Sequence, residues 1–594
     1  MKTMLSSTYS VVCLLVLSLS VVFASQPIVS TSHGKVSGNT LRTFPGDVEF
    51  YGFSGIPYAA PPLKELRFLP PQPPEPWTDV KEATKEKPAC VQFNYNVKKH
   101  PYGMAGEEDC LYLDVYTPSL DGNHPVVVFL YNVNFMNTYN KTKDYAPDFF
   151  IEEGVTIVTI THRVAILGFL SFEDDVLPGN SGLRDVIQGL NWIRDNIESF
   201  GGDPKKITLM GYGGGAALVD FLIHSNTERL WHAAIMQSGT LLSSLYLQDN
   251  IRERTFRLAD ELEWISTDSA KTLAFLQDVE VGTLITKEWI APPPDYFRDT
   301  QKSLRPFGPM LEKGPSGLLT DRPEDKMKEL DIPVMIGFTS LEGMEAGIQY
   351  LEEPRYLTFV EKNFPLQMPI RLKFSFDQFK DSFFEAIQDI KDFYFKDGKV
   401  RVKNVPEYVK YIGDVITGYN VDSNVQLYAN TSTKDIFYYN FDFVGELNEN
   451  RINILNLIEK NDINQNIKIE GAASGDDLCY LFKCPDLIKK YKELSEKPSD
   501  EIALIKKLVR MWANFAKFGN PTPENDTILD GIKWEKYDKE NKDYLYIGNT
   551  IEMRQNLFSD RFHFWDSFIQ KWGKRAVDGI VADLPRDAVD KDEL

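Results

Sequence analysis

The sequence predicts an α/β fold in a single domain, a large and mostly parallel sheet flanked by helices. Short β-branched runs alternate along the chain with apolar residues at helical spacing. No repeat, low-complexity tract or linker interrupts that alternation. A third observation is local: Ile207-Thr208-Leu209-Met210 runs straight into Gly211-Tyr212-Gly213-Gly214-Gly215, which reads as a buried strand entering a glycine turn and then a helix.

In chain order, Val126–Leu130 and Val155–Ile160 are continuous apolar runs, as expected of central strands buried on both faces. Val334–Gly337 and Ile436–Tyr439 read as later strands of the same sheet. Between these two, Phe379, Phe383, Ile387 and Ile390 fall at helical spacing. Ile502, Ile505, Leu508, Val509, Trp512 and Phe515 form a second stripe, with Gly519 placed to cap its C-terminus.

The ends carry an address. Lys2 precedes an apolar run from Val11 to Phe23, and Val22 and Ala24 occupy −3 and −1 of a cleavage site, so residues 1–24 read as a secretory signal peptide. The folded domain is expected over 25–575. An acidic tail, 576–594, ends in Lys591-Asp592-Glu593-Leu594, the KDEL retrieval signal of the endoplasmic reticulum lumen. Asn140, Asn430 and Asn525 each open an N-x-[ST] glycan-acceptor triplet. The formal charge is −21, and loss of Lys2 with the signal makes it more negative by one. Nucleic acid and anionic membranes are therefore excluded as partners. No later stretch is apolar for the ~18 residues a membrane span needs.

Of five cysteines, Cys13 lies in the signal segment. An oxidising lumen permits Cys90 and Cys110 to pair, a cross-link worth about 3 kcal/mol in the chain-entropy model. Cys479 and Cys484 could pair or remain buried thiols. There is no C-x-x-C, so neither redox catalysis nor a zinc site is indicated. No cofactor is called for.

Several motifs together resemble the type B carboxylesterase and cholinesterase family of α/β-hydrolases. Glu107-Glu108-Asp109-Cys110-Leu111-Tyr112-Leu113-Asp114-Val115-Tyr116 is similar to the family's E-D-C-L-x-L-N-V-Y. Phe200-Gly201-Gly202-Asp203-Pro204, Gln237-Ser238-Gly239 and Phe515-Ala516-Lys517-Phe518-Gly519-Asn520-Pro521 continue the match, which spans nearly the whole mature chain. The resemblance implies the α/β-hydrolase fold and a Ser–Glu–His site.

The same alignment implies that the chemistry is missing. In the family's G-x-S-x-G elbow, Gly211 and Gly215 are present but the serine position is Gly213. The histidine falls at Ser474, inside Gly471-Ala472-Ala473-Ser474-Gly475-Asp476-Asp477-Leu478. A serine hydroxyl is no general base near neutral pH. Glu342 occupies the acid position, in a loop resembling the family's, and is expected to accept structural hydrogen bonds near Ser238 or Ser474. Asp476 and Asp477 are the other acidic residues nearby and read as structural. The oxyanion positions are Asn132, Val133 and Gly214: Tyr131-Asn132-Val133-Asn134-Phe135 stands where the family has a glycine-rich loop. A β-branched Val133 disfavours the left-handed backbone such a loop uses, and its side chain is expected to crowd the cavity. Tyr212, before the elbow, is expected to aim away from the site, with an ordinary phenol pKa of about 10.

Loss of nucleophile or base in a comparable triad costs on the order of 10⁶ in turnover, and one oxyanion donor about 10² to 10³. The leading expectation is therefore a pseudoesterase that binds a lumenal client protein, a partner esterase or a small apolar ligand in the vestigial gorge. The alternative is a carboxylic ester hydrolase with a non-standard nucleophile. Cholinesterase function is disfavoured, because the Cys90 to Cys110 loop holds no tryptophan to cradle a quaternary ammonium.

Overall fold

The computed structural model describes residues 26–94, 103–138, 141–292, 305–314, 316–364, 372–458 and 469–583. Its centre is an eleven-stranded sheet. In chain order the strands are β1 (Asn39–Arg42), β2 (Glu49–Pro57), β3 (Tyr112–Thr117), β4 (His124–Asn132), β5 (Thr156–Ile160), β6 (Gly202–Gly213), β7 (Ala233–Gln237), β8 (Val334–Thr339), β9 (Ile436–Phe441), β10 (Asp543–Ile547) and β11 (Ile551–Gln555). Across the sheet they run β11-β10-β9-β8-β7-β6-β4-β5-β3-β2-β1. The pairings from β10 through to β5 are parallel, and the rest, towards both edges, are antiparallel.

The apolar runs explain this order. Every residue of Val126–Leu130 is buried, as are those of β5, β7, β8 and β9, because helices cover both faces of the parallel part. One core packs the elbow helix, α1 (Gly214–His224), against the sheet; a second packs the long stripe helix on the opposite face. That stripe helix runs Asp500–Phe518, and Gly519 caps it with φ 67°. The earlier stripe forms a helix over Asp381–Tyr394. Phe379 lies outside it and is 94% exposed, so its helical spacing is coincidental.

Two expectations about connectivity are corrected or decided. Both cysteine pairs are disulfides, Cys90–Cys110 and Cys479–Cys484. The folded region also runs past residue 575. Ala576–Val577 pairs with Ile580–Val581, which in turn pairs with Ser375–Phe376. Asp583 then accepts the Ser382 N–H at 2.9 Å, at the start of the 381–394 helix. No strong period marks this region, because each of these strands is two residues long. Residues 1–24, Asn140 and the KDEL segment lie outside the described residues. Among the described residues, no helix is long and apolar enough to cross a membrane.

The fold positions its site where chain order reverses, at the C-terminal ends of the parallel strands. There α1 crosses β4 so tightly that a Cβ on Gly215 would lie 1.8 Å from the Leu130 carbonyl oxygen. Gly215→Ala should therefore cost about 1–3 kcal/mol or more by overpacking, read as a lowered midpoint in denaturant unfolding; an unchanged midpoint would contradict this contact.

Candidate functional site

β6 hands over to α1 at Gly213, with φ 56° and ψ −118°. A non-glycine residue held there would store about 1–3 kcal/mol of strain. The turn keeps its sharp shape, and the glycine relieves the strain. Apart from its chain neighbours, a Cβ built on Gly213 would meet two heavy atoms of the described residues within 4 Å, both backbone carbonyl oxygens: Val133 at 3.1 Å and Asn132 at 3.9 Å. The nearest of these, the Val133 carbonyl oxygen, stands closer than an ordinary van der Waals contact.

That acceptor belongs to the loop after β4, where Asn132 sits opposite Gly213 in the sheet register. Asn132 is fully buried, and its Oδ1 accepts the Phe135 N–H at 2.6 Å. Its Nδ2 lies 3.3 Å from His162 Nε2, while His162 Nδ1 lies 3.1 Å from the Arg163 carbonyl oxygen. A carbonyl can only accept, so Nδ1 carries the proton and Nε2 accepts from Asn132. Burial lowers the His162 pKa, in keeping with a neutral ring. The Val133 N–H donates to the Asn137 carbonyl at 3.0 Å, and the Gly214 N–H donates to the Val133 carbonyl at 2.9 Å. Gly214 is the residue whose N–H follows the nucleophile position. Its hydrogen bond is taken up by the protein's own loop. The crowding expected of the Val133 side chain is in fact done by its carbonyl, and the left-handed residue of the loop is Phe135, at φ 63°.

Glu342 follows β8 and is buried. Its Oε1 accepts from the Ser238 hydroxyl at 2.6 Å and from both the N–H and the hydroxyl of Thr339 at 2.7 Å. Ser474 adds a further hydrogen bond. Burial pushes the carboxyl above its ordinary pKa, opposed by these four donors. Ser474 reaches Glu342 because Ala473 bridges Leu341 in a parallel register. Glu342 and Ser474 thus lie near each other, and the backbone of Gly213 is packed against Gly239, next to the Ser238 that donates to Glu342.

Tyr212 is the correction. Its hydroxyl lies 3.0 Å from Ser474 Oγ, inside the site. As the penultimate residue of a strand, it points to the sheet face that the 471–478 segment covers, where its ring stacks on Tyr131 at 6.4 Å. In the Tyr212–Ser474 pair either hydroxyl can be the donor. Burial, reinforced by Glu345 and Glu342, holds the phenol well above its ordinary pKa. It is a hydrogen-bonding group and not a nucleophile.

Behind these groups, Asp477 Oδ2 accepts from Gln237 at 2.7 Å and Tyr439 at 3.2 Å, and burial raises its pKa to about 6. Asp476 accepts the Ala473 and Arg451 N–H groups and the Asn448 amide, and burial raises it to about 7. Both tie down the 471–478 segment. Glu449, Cys479 and Cys484 bring three ligand-type atoms within 4.8 Å, but the two sulfurs are bonded to each other. Asn430 is exposed on the last turn of the 419–431 helix, and Asn525 is exposed with φ 69°.

Residues 25–565 match the family model described as "Carboxylesterase family". The chain is 30% identical over 569 residues to the juvenile hormone esterase of Tribolium castaneum, covering 91% of this chain and 93% of that one. It is 26% identical to neuroligin-2 of Mus musculus over 91% of this chain and 67% of the relative. Among solved structures it is similar to the juvenile hormone esterase of Manduca sexta with OTFP covalently attached, with TM-score 0.78, 25% identity, and coverage of 92% of this chain and all of that one.

The buried carboxylates give a pH signature. Asp477 binds its proton more tightly folded than unfolded, so its stabilising contribution is full below pH ~4 and lost as pH rises through about 6. Asp477→Asn places an amide nitrogen where the carboxylate oxygen Oδ1 has no hydrogen-bond partner among the described residues. Its stability relative to the wild type should therefore improve by on the order of 3 kcal/mol between pH 4 and pH 7.5. Urea unfolding of both proteins across that range checks it; parallel stability curves would refute it.

Proposed function

The chain belongs to the carboxylesterase family, and from that premise we propose that it is a non-catalytic member, acting by binding in the lumen of the endoplasmic reticulum. The observation that carries the reading is Gly213: the elbow keeps its backbone angles and has no side chain to attack an ester. The absence of a base at Ser474 supports it independently, because that hydroxyl sits between Tyr212 and Glu342. The relatives do not choose for us, since chains named esterases and chains named neuroligins both align over most of this one.

In this reading, residues 1–24 direct secretion, the C-terminal KDEL returns the protein to the lumen, and exposed Asn430 and Asn525 accept glycans. The occupant is a lumenal client protein, a partner esterase, or a small apolar ligand above Gly213.

The test is hydrolysis of short- and long-chain esters by the purified mature protein, against heat-killed protein. Rates at background are expected; saturable turnover would overturn the reading. A second arm replaces the two lost groups together. Gly213→Ser with Ser474→His should remain at least 10² below an active relative, because the Gly214 N–H still donates to Val133. Recovery of full activity from those two substitutions would remove the loop from the explanation.

A further inference from the structure

Downstream of Ser474, Glu449, Cys479 and Cys484 bring a carboxylate oxygen and two sulfurs within 4.8 Å of one another. Glu449 opens the 449–458 helix and is half-buried, and both cysteines are buried. Cys479 lies on a single helical turn, Leu478–Leu481, and Cys484 follows it, with four residues between the two cysteines. That spacing falls within the about two to four residues that separate paired zinc-binding cysteines.

The disulfide is not the sole clamp on this pair. The Tyr491 hydroxyl donates to the Cys479 carbonyl at 2.7 Å and accepts the Cys484 N–H at 3.2 Å, so it ties both ends of the loop. Lys483 exchanges two backbone hydrogen bonds with Ala146, at 2.8 and 3.0 Å, and its ammonium lies 2.6 Å from Asp148 Oδ1. Closing a loop this short, with sequence separation 5, also gains the chain least. With the bridge opened, these contacts leave two thiols facing each other, their Cα atoms 5.4 Å apart. Glu449 Oε2 stands 3.6 Å from Cys479 Sγ. A disulfide sulfur has no hydrogen to offer a carboxylate, whereas a thiol has one, and a cation held by thiolates attracts the carboxylate further.

We propose that these three side chains form a redox-gated zinc site, closed as a disulfide and taking Zn²⁺ through Cys479, Cys484 and Glu449 once the bridge is reduced. The site is independent of whether the protein hydrolyses esters. A dithiol supplies the two electrons and two protons that open the bridge, and is itself oxidised to a disulfide. Zn²⁺ then displaces both thiol protons to water. Two sulfurs and an oxygen suit this ion better than Mg²⁺ or Ca²⁺, which take oxygen ligands. Tetrahedral bonds of ~2.3 Å put the sulfurs about 3.8 Å apart, a separation that side-chain rotation reaches from the fixed Cα positions. Water fills the fourth position.

The test is zinc titration of the mature protein, oxidised and after reduction by a phosphine, in competition with a chromophoric chelator. Alkylation and mass mapping of an aliquot establish that Cys479 and Cys484 are reduced, and circular dichroism that the fold is retained. One zinc per reduced chain is expected at this site and none per oxidised chain. Co²⁺ in its place should give a thiolate-to-metal charge-transfer band. Cys479→Ser with Cys484→Ser should abolish this binding, which separates it from any metal held by reduced Cys90 and Cys110. Glu449→Gln should weaken it by at least about tenfold, the loss typical of removing even an outer-shell partner, and leave the bridge able to form. Equal zinc binding by the oxidised protein or by the double variant overturns the proposal. So does a reduced wild type that binds none, or a bridge that cannot be reduced without unfolding. An unchanged affinity in Glu449→Gln overturns the three-ligand site. If the double variant does not fold, the oxidised and reduced wild type and the cobalt spectrum decide.

Discussion

The structure depends on how closely three pieces of backbone pass at the elbow. A Cβ on Gly211 would stand 2.2 Å from the Gly215 carbonyl oxygen, one on Gly215 1.8 Å from that of Leu130, and one on Gly239 2.0 Å from that of Gly213. Only residues without a Cβ let β6, α1 and the segment after β7 meet there. This constraint is steric and indifferent to chemistry. It holds the sheet together at the switch point whether or not a nucleophile stands at 213. The geometry that presents the residue at 213 thus also organises the core.

The remaining polar groups around the elbow are largely paired within the protein. Buried N–H and O–H groups need partners, and a site built to receive substrate leaves some of them waiting. Here the Gly214 N–H is satisfied by Val133, the Ser474 hydroxyl by Glu342, and the Tyr212 hydroxyl by Ser474. Glu342 keeps its place because four donors converge on it, although it orients no histidine. The strain of a non-glycine elbow is gone as well. Each change moves in the direction that favours a stable, preorganised protein over a reactive one.

Much of this was legible in the sequence, for definite reasons. The central strands are long apolar runs, and a glycine cap closes a six-residue stripe, so elements of strong period were placed correctly. The resemblance assigns Gly213, Glu342 and Ser474 their positions because they sit in motifs with fixed flanks. What escaped was set by tertiary direction. Tyr212 was aimed wrongly, since the turn after a strand does not tell which sheet face its penultimate residue covers. Phe379 matched a helical period by chance and lies in solvent. The pairing of Cys479 with Cys484 and the short hairpin beyond residue 575 depend on contacts between segments, to which periodicity is blind.

The oxyanion loop is the instructive case. From the sequence, asparagine and valine in place of glycines meant a loop of another shape, and the side chain of Val133 was the expected obstacle. The hydrogen bonds relocate the effect to the backbone. Asn132 closes the loop on itself through Phe135 and is anchored by a neutral His162, and the turn this imposes brings a carbonyl to Gly214. A side-chain substitution has thus acted by choosing which backbone group faces the site. Since the backbone at that point offers only a donor or an acceptor, the choice is binary. Here it has fallen on the acceptor, which takes up the N–H next to the elbow.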